Sequence, residues 1–316
     1  MKISCVMPMR DCMPFVEPAV RSVLGQTGVD LELIVVEDGS SDEGPAVVER
    51  IATEDKRLNM VPGPREGIAP ALNVGLAAAT GELFCRCDAD DAYAPPDRLA
   101  RQLDFLQTHT DADAVCGIHT LTDEHDTPLT HWPMRVGGVE DITKELRAGK
   151  GRTHFCTFLV RMEMMRQLGG FRAFFNGCED ADFQLRLGDA GRVWFEPEHC
   201  YRYRLHRGGI TQRQASAKRG WLEDHIRSFQ RERQATGTDP LMRGEMIEVP
   251  AAFPEAEGSD SARGCANRVQ AVLLGAAADH KRHGERSAAV TKAWQGVRAG
   301  PTNVRAWRTL ASVALR

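Results

Sequence analysis

The most informative stretch of the sequence is Leu83-Phe84-Cys85-Arg86-Cys87-Asp88-Ala89-Asp90-Asp91. Residues 83–87 predict a β-strand that runs directly into a group of acids. Side chains two residues apart on an extended segment point the same way, so Asp88 and Asp90 can face one ligand together. The acids also stand where open α/β sheets bind ligands, outside the carboxyl ends of the strands.

On the amino-terminal side of this stretch, short apolar runs alternate with helical patterns, which is typical of βαβ units and a mostly parallel sheet. The other strands predicted there are Ile3 to Met7, Leu31 to Val36 and Leu58 to Val61. Between the strands, apolar residues recur at helical spacing, as at Val16 and Val20 ahead of Gly25. The pattern predicts a Rossmann-like α/β domain flanked by helices.

After the acids, the prediction continues with a helix around Leu99 and further strands at residues 158–160 and 193–196. Residues 120–151 are polar and rich in turn formers, so they predict an irregular segment. We expect the α/β domain to span residues 1–214.

Three segments are predicted beyond this domain. A helix over residues 215–235 packs on the domain or leaves it, and residues 236–264 form a linker rich in Pro, Gly, Glu and Ser. Residues 265–316 predict a C-terminal α-helical extension. Its two helices around Pro301-Thr302-Asn303 resemble one tetratricopeptide-type hairpin.

Composition narrows the class of protein. With 316 residues, 42% of them hydrophobic, the chain can bury a full core, and its net charge of −4 gives no broad attraction for nucleic acid. The nine cysteines show no metal or redox spacing, which predicts reduced thiols in the cytoplasm. Without a signal-peptide pattern or a long apolar span, we expect a cytoplasmic protein that meets a membrane or protein partner peripherally, at the inner face, through the C-terminal helices.

Three groups of residues could carry chemistry, and each also has a structural interpretation. The acids at 88–91 suit Mg²⁺ or Mn²⁺ bound with substrate phosphates, but acidic turns are common. Asp38, after a strand, could accept the imide N–H of uracil or thymine, or simply form a turn. Glu179 and Asp180 precede a predicted helix and could act on a substrate. Acids are also common at this position for a structural reason, because the helix dipole stabilises negative charge at the start of a helix. His206 alone is as readily structural as functional.

Together these segments resemble glycosyltransferase family 2, in the family's order, over residues 1–214. The matching segments are Met7-Pro8-Met9-Arg10, Ser22-Val23-Leu24-Gly25-Gln26-Thr27, residues 32–42, residues 67–76, residues 81–91, Pro96-Asp97-Arg98-Leu99 with Gln102, Glu179-Asp180, and Tyr203-Arg204-Leu205-His206. The resemblance implies the GT-A fold. It also implies a metal-dependent reaction that transfers a sugar from a nucleotide diphosphate sugar, with a UDP-sugar as the favoured donor, to an acceptor hydroxyl with inversion. The acceptor would be a glycan, a lipid-linked glycan or another alcohol in polysaccharide or cell-envelope synthesis.

The resemblance also implies roles for single residues. Asp180 matches the catalytic base, Asp38 the contact to the nucleotide base, and Asp88 the contact to ribose or metal. Mn²⁺ or Mg²⁺ would bind Asp90 as chief ligand with help from His206. One extra residue before Pro96 leaves open whether Asp90 or Asp91 is that ligand. Further nucleotide-sugar contacts are expected at Pro8, Arg10, Asn73, Arg86 and Glu179.

Two other functions fit parts of the sequence. A metal-dependent nucleotidyltransferase could use paired acids on such a sheet, but it would want a Gly-rich basic loop, and the chain has no Walker-type loop. A decayed transferase could act as a sugar- or protein-binding module. The set Asp38, Asp88, Asp90 and Asp180 argues against decay.

Overall fold

The structure is a computed structural model that describes residues 1–209, 216–253 and 262–315. The strands are β1 (Lys2–Met9), β2 (Asp30–Glu37), β3 (Leu58–Pro62), β4 (Leu83–Arg86), β5 (Ala92–Tyr93), β6 (Ala114–Thr122), β7 (Pro128–Trp132), β8 (Glu140–Asp141), β9 (Leu159–Arg161) and β10 (Val193–Arg204). The helices are α1 (Val16–Leu24), α2 (Gly44–Glu54), α3 (Ile68–Ala78), α4 (Arg98–Thr108), α5 (Thr143–Arg147), α6 (Met162–Gln167), α7 (Glu179–Ala190), α8 (Ser216–Thr236), α9 (Ala262–Arg282), α10 (Arg286–Ala299) and α11 (Val304–Ala314).

The strands form a sheet in the order β3-β2-β1-β4-β9-β6-β10-β5, with β7 on β6 and β8 on β10. From β3 to β4 the neighbours are parallel, and β9 then pairs antiparallel with both β4 and β6. The carboxyl ends of β1, β2 and β4 therefore lie along one edge of the sheet, where Arg10, Asp38 and the acids after residue 87 follow them. The predicted α/β fold with a mostly parallel sheet and C-terminal helices is confirmed.

The segment predicted to be irregular, residues 120–151, is more regular than the sequence suggests. It contains the end of β6, the strands β7 and β8, and the helix α5. Likewise β10 runs to Arg204, well past the predicted end at residue 196. These strands carry threonines and charged residues between their buried ones, so the apolar periodicity that marks a strand is weak there.

An aromatic cluster fixes the approach to the sheet edge. The ring of Phe155 lies 5.1 Å from Phe183 of α7 and 5.6 Å from Phe171, and Phe171 lies 6.1 Å from Phe84 of β4. All four side chains are buried. Because buried aromatic pairs contribute both area and specific geometry, this cluster holds the start of α7 and the segment before residue 158 against the strand that carries the acids.

Helix α8 packs against the region around α7. Leu222, Ile226 and Phe229 of α8 share a buried cluster with Phe175 and Leu185. An ionic network lies beside it. Arg172 pairs with both Asp182 and Asp239, Arg186 pairs with Asp182, and Arg233 pairs with Asp189 and Asp239. Asp182 and Asp239 are almost fully buried, so these residues have a structural role.

We expect Asp239→Asn to lower the free energy of unfolding at pH 7 by about 3 kcal/mol, since Arg172 and Arg233 lose a shared buried partner. Burial alone would raise the pKa of Asp239, but its bonds to Arg172 and Met242 outweigh burial and lower that pKa. A lowered folded pKa gives stability above the unfolded value of about 4, which is lost as the pH falls through the folded pKa. Urea unfolding at pH 7 and at acid pH should therefore show a difference between variant and wild type that shrinks in acid.

The matched control is Glu17→Gln, which removes an exposed partner of Arg21 and Arg50. This change should leave the unfolding free energy nearly unchanged. An Asp239→Asn protein as stable as wild type at pH 7 would contradict a stabilising network.

By contacts, the chain divides into two compact units, and the second comprises Thr120–Arg135, residues 203–209 and residues 262–315. Inside this second unit, Leu129, Leu205 and Leu273 share a buried cluster. Arg135 binds Asp279 at 3.0 Å and Glu285 at 2.6 Å. The end of the predicted first domain, residues 210–214, and part of the predicted linker, residues 254–261, lie outside the described residues.

Across the residues that the structure does describe, every helix is too short or too polar to cross a membrane.

Candidate active site

The acids at the end of β4 differ in how they are held. Asp88 and Asp90 are half-buried, whereas Asp91 is only 2% exposed. The Tyr201 hydroxyl of β10 donates to Asp91 Oδ2 at 2.7 Å and accepts from the Asp88 N–H at 3.1 Å. Tyr201 thus fixes the backbone of the acidic turn, and Asp91 faces the protein interior.

Arg86 joins the acidic turn to the start of α7. Its Nε and Nη2 donate to Asp88 at 2.6 and 3.1 Å, and its Nη1 donates to Glu179 Oε1 at 3.0 Å. Burial alone would raise the pKa of Asp88, but the charge and hydrogen bonds of Arg86 outweigh burial and lower it. Burial raises the pKa of Glu179. The resemblance implies a nucleotide-sugar contact for Arg86 and Glu179, yet Arg86 is 3% exposed and its guanidinium binds the two acids.

We expect Arg86→Ala to lower the free energy of unfolding by about 3–5 kcal/mol, because Asp88 and Glu179 would keep buried charges without their cation. Arg86→Lys should recover only part of this loss, since a single ammonium cannot reproduce the paired bonds of the guanidinium. The measurement is denaturant unfolding, with the exposed Arg10→Ala as control. An Arg86→Ala protein with wild-type stability would show that the bridge contributes nothing.

Asp180 lies in the first turn of α7, half-buried beside a histidine. Its Oδ1 accepts a hydrogen bond from the Ala181 N–H at 2.8 Å, and its Oδ2 lies 3.5 Å from His154 Nε2. The Nδ1 of the same histidine accepts the Cys156 N–H at 3.4 Å. The predicted base therefore has a neighbour that the sequence did not single out.

Asp88, His154 and Cys156 offer ligand atoms within 4.8 Å of one another, close enough to consider for a metal ion. Burial raises the pKa of Cys156 well above its usual value, and the Asp88 charge raises it further, so the sulfur stays a thiol. This thiol donates to Asp88 Oδ2, and both Asp88 oxygens also bind Arg86. Arg86 and the Cys156 thiol thus share the oxygen atoms of Asp88 in one hydrogen-bonded cluster.

The oxygen atoms of Asp90, with Asp88 beside it, fit Mg²⁺ or Mn²⁺. Burial raises the pKa of the Cys12 thiol, and the charge of nearby Asp90 raises it further. His206, the other predicted ligand, belongs to the second compact unit, where its Nδ1 accepts the Gly208 N–H at 3.2 Å. A metal role for His206 stays a prediction.

Asp38 organises the loop beyond β3. Its two oxygens accept the N–H groups of Arg65 at 2.6 Å and Gly67 at 3.0 Å. A Cβ on Gly63 would lie 2.8 Å from Asp38 Oδ1, so this close approach requires glycine. Each oxygen retains a second lone pair, and the predicted contact to a nucleotide base stays a prediction.

The other residues predicted to contact the nucleotide sugar, Pro8, Arg10 and Asn73, differ in their surroundings. Asn73 on α3 uses both ends of its amide on the backbone of Phe171, at 2.7 and 2.9 Å, which pins that segment to α3. Pro8 is buried within β1, and Arg10 is exposed just beyond it. Of these three residues, Arg10 is therefore the one that presents its side chain to solvent at the sheet edge.

The sequence interpretation missed His154, Cys156 and Tyr201. His154 and Cys156 flank Phe155 ahead of β9, and Tyr201 lies in a strand predicted to end earlier. Nothing local in the sequence marks them, because their importance depends on contacts made in the folded chain: His154 contacts Asp180, and Cys156 and Tyr201 contact Asp88, 68 and 113 residues away.

Comparison with known proteins identifies the family. A model described as glycosyl transferase family 2 matches residues 4–169. The chain belongs to this family. This glycosyltransferase family 2 protein is 27% identical to the uncharacterized glycosyltransferase EpsJ of Bacillus subtilis (strain 168). The matched region covers 66% of this chain and 63% of that relative. It is also 27% identical to the chondroitin synthase of Pasteurella multocida (strain Pm70), covering 65% of this chain and 20% of that relative. The chain thus spans less than two thirds of the length of these relatives.

Solved structures of similar shape complete the comparison. S. aureus TarS 1-349 in complex with UDP-GlcNAc matches with a TM-score of 0.57 at 15% identity, over 99% of this chain and 84% of that one. The mannosyltransferase PcManGT from Pyrobaculum calidifontis, in complex with GDP-Man and Mn²⁺, matches with a TM-score of 0.52 at 20% identity, over 99% and 79%. At such identities the likeness shows the fold, and the predicted GT-A architecture is confirmed.

Proposed function

We propose that this protein transfers a sugar from a UDP-sugar to an acceptor hydroxyl with inversion at the anomeric carbon. The observation that carries the proposal is the Arg86 bridge between the acidic turn, with its half-buried Asp88 and Asp90, and the first turn of α7, which contains Asp180. Arg86 bonds Asp88 at the end of β4 to Glu179, which directly precedes Asp180 at the start of α7. A donor site and a base are thereby held on two rigid elements by one guanidinium.

The reaction requires one base. An acceptor alcohol is a weak nucleophile until its proton leaves, so a carboxylate within hydrogen-bond reach speeds its attack, typically by about 10²–10⁴-fold. Asp180 would take the acceptor proton while the new bond forms at the anomeric carbon and the diphosphate leaves with the old bonding electrons. A single displacement of this kind inverts the anomeric carbon, and it needs no carboxylate nucleophile.

The leaving diphosphate carries a large negative charge. Asp90, with Asp88, would hold Mn²⁺ or Mg²⁺ next to it, and that ion supplies Lewis-acid stabilisation of the developing charge. The choice of Asp90 over Asp91 is supported by the bond between Tyr201 and Asp91, which commits the latter to the interior.

The choice of donor is supported by the ligands bound in structures of similar shape. TarS 1-349 is seen with UDP-GlcNAc and with UDP, and PcManGT with GDP-Man and Mn²⁺. UDP-sugars are therefore the first donors to test and GDP-mannose the second. For the acceptor, we propose a polysaccharide, lipid-linked or cell-envelope glycan at the cytoplasmic face, with the C-terminal helices as a peripheral contact.

The test is release of nucleoside diphosphate from a panel of UDP-, GDP- and dTDP-sugars, with Mn²⁺, with Mg²⁺ and with excess chelator. We expect release from one UDP-sugar, through slow transfer to water, and its loss on chelation. Full activity in chelator would contradict metal-dependent transfer, and no release from any donor would contradict an active transferase site.

A further inference from the structure

We propose that His154 is the positioning residue of Asp180 and holds its carboxylate through an Nε2–H donor. This inference rests on the proposed role of Asp180 as the base. It concerns how Asp180 is kept ready for the acceptor, and it assigns His154 no contact with the substrate.

Hydrogen bonding determines which nitrogen of His154 carries the proton. The Cys156 N–H points at Nδ1, 3.4 Å away, so Nδ1 must present a lone pair. In a neutral imidazole the proton then sits on Nε2. That nitrogen lies 3.5 Å from Asp180 Oδ2. The separation is long for a hydrogen bond, but catalytic hydrogen bonds are often loose without substrate and tighten when it binds.

The charge state suits a positioning role. An imidazole whose Nδ1 accepts the Cys156 N–H carries its proton on Nε2 alone and is uncharged. A neutral donor orients a carboxylate while leaving it negative and basic, whereas a full cation in contact would stabilise the ionised form and weaken the base.

The charge of Arg219, which donates to Glu223 at 3.0 Å, also acts on Asp180. Arg219 on α8 lies near Asp180. Burial lowers the pKa of Arg219, but its bond to Glu223 and nearby negative charges, Asp180 among them, outweigh burial and raise it. A carboxylate that turned toward this guanidinium would be a poorer proton acceptor. Oδ1 is already bonded to the Ala181 N–H, and a bond from His154 to Oδ2 would leave the side chain little freedom to turn.

The histidine itself is held firmly. Its ring stacks on Tyr201 with the centroids 6.3 Å apart and the planes 19° apart, and it also meets the ring of His119 edge-on at 6.1 Å. His154 also precedes the short helical turn Phe155–Thr157, and Phe155 packs on Phe183 of α7. The loop with His154 and the helix with Asp180 therefore share one core, which is the support that a catalytic group needs.

The test compares two variants of His154 with different chemistry. His154→Phe keeps a ring for stacking and removes the donor, while His154→Gln keeps a side-chain N–H. With the donor sugar found in the panel, we expect His154→Phe to lower kcat by about 10- to 100-fold. The donor KM and the affinity for UDP with Mn²⁺ should stay within about twofold of wild type. His154→Gln should recover most of the lost kcat.

Combining variants separates positioning from an independent effect. If His154 acts through Asp180, adding His154→Phe to Asp180→Asn should lower kcat no further. Losses that multiply, or a kcat of His154→Phe within about twofold of wild type, would overturn the proposal. A large rise in donor KM or a loss of UDP affinity would do the same, because His154 would then act at the donor site. Wild-type activity in Asp180→Asn would instead refute the base itself.

A measurement without turnover keeps the proposal testable if no donor in the panel is used. Imidazole NMR of the ¹⁵N-labelled protein, assigned with His154→Phe, should show a neutral ring protonated at Nε2. Its Nε2–H signal should shift in Asp180→Asn. The assignment would be overturned by a ring protonated at Nδ1 or by a charged ring at neutral pH. An Nε2–H signal that does not shift in Asp180→Asn would also overturn it.

Discussion

Asp180→Asn is expected to lower kcat by about 10²–10⁴-fold, the contribution typical of a general base. The amide keeps the size of the side chain and an oxygen for the Ala181 N–H, so the start of α7 should be undisturbed. Because Asp180 would act on the acceptor rather than on the donor, the affinity for UDP in the presence of Mn²⁺ should be unchanged. Steady-state release of UDP and calorimetric UDP binding measure the two quantities.

The control for this substitution is Asp224→Asn, which removes a carboxylate that is 84% exposed on α8. That variant should behave as wild type in both measurements. If Asp180→Asn kept most of its kcat, or lost UDP affinity as well, the residue would not be the base.

Asp90→Asn is expected to abolish the effect of Mn²⁺ on UDP binding. A metal that joins a carboxylate to the diphosphate contributes several kcal/mol, so the affinity measured with Mn²⁺ should fall at least about 100-fold. The affinity in chelator should stay at its wild-type value. Calorimetric titration of UDP with and without Mn²⁺ gives both numbers.

The neighbouring Asp91→Asn supplies a matched control, since it removes the same charge one residue along the chain. Asp91 is buried and bonded to Tyr201, so this variant should lose stability and keep the Mn²⁺ effect. Tyr201→Phe should lose stability in the same way. A Mn²⁺ effect that survives Asp90→Asn and disappears in Asp91→Asn would reverse the assignment of the ligand.

Much of the fold was predictable because its signals are local. The strands β1 to β4 are short apolar runs between helical patterns, and the connection of parallel strands through helices follows from that alternation. The strands β6, β7 and the far end of β10 were not predicted. Polar residues hide the alternation in β7 and in the far end of β10. The strand β6 begins as a continuous apolar run, and its partners β9 and β10 lie far along the chain.

The candidate site was predictable in part. Asp88 and Asp90 follow a strand at the ligand-binding edge, which the sequence shows directly. Arg86 was expected on the diphosphate, and only the folded chain reveals its bond to Glu179, 93 residues away. His154 could not be identified from sequence at all, because a lone histidine gains meaning only from what lies beside it.

The most direct test of the account is proton NMR of the sugar that appears when the protein, Mn²⁺ and an α-linked UDP-sugar are mixed in water. If the sugar is transferred by a single displacement with inversion, UDP and the β-anomer of the free sugar should appear together, before mutarotation restores the equilibrium mixture. An α-anomer as the first product would contradict direct displacement with one base, and an unchanged UDP-sugar would contradict the transferase itself.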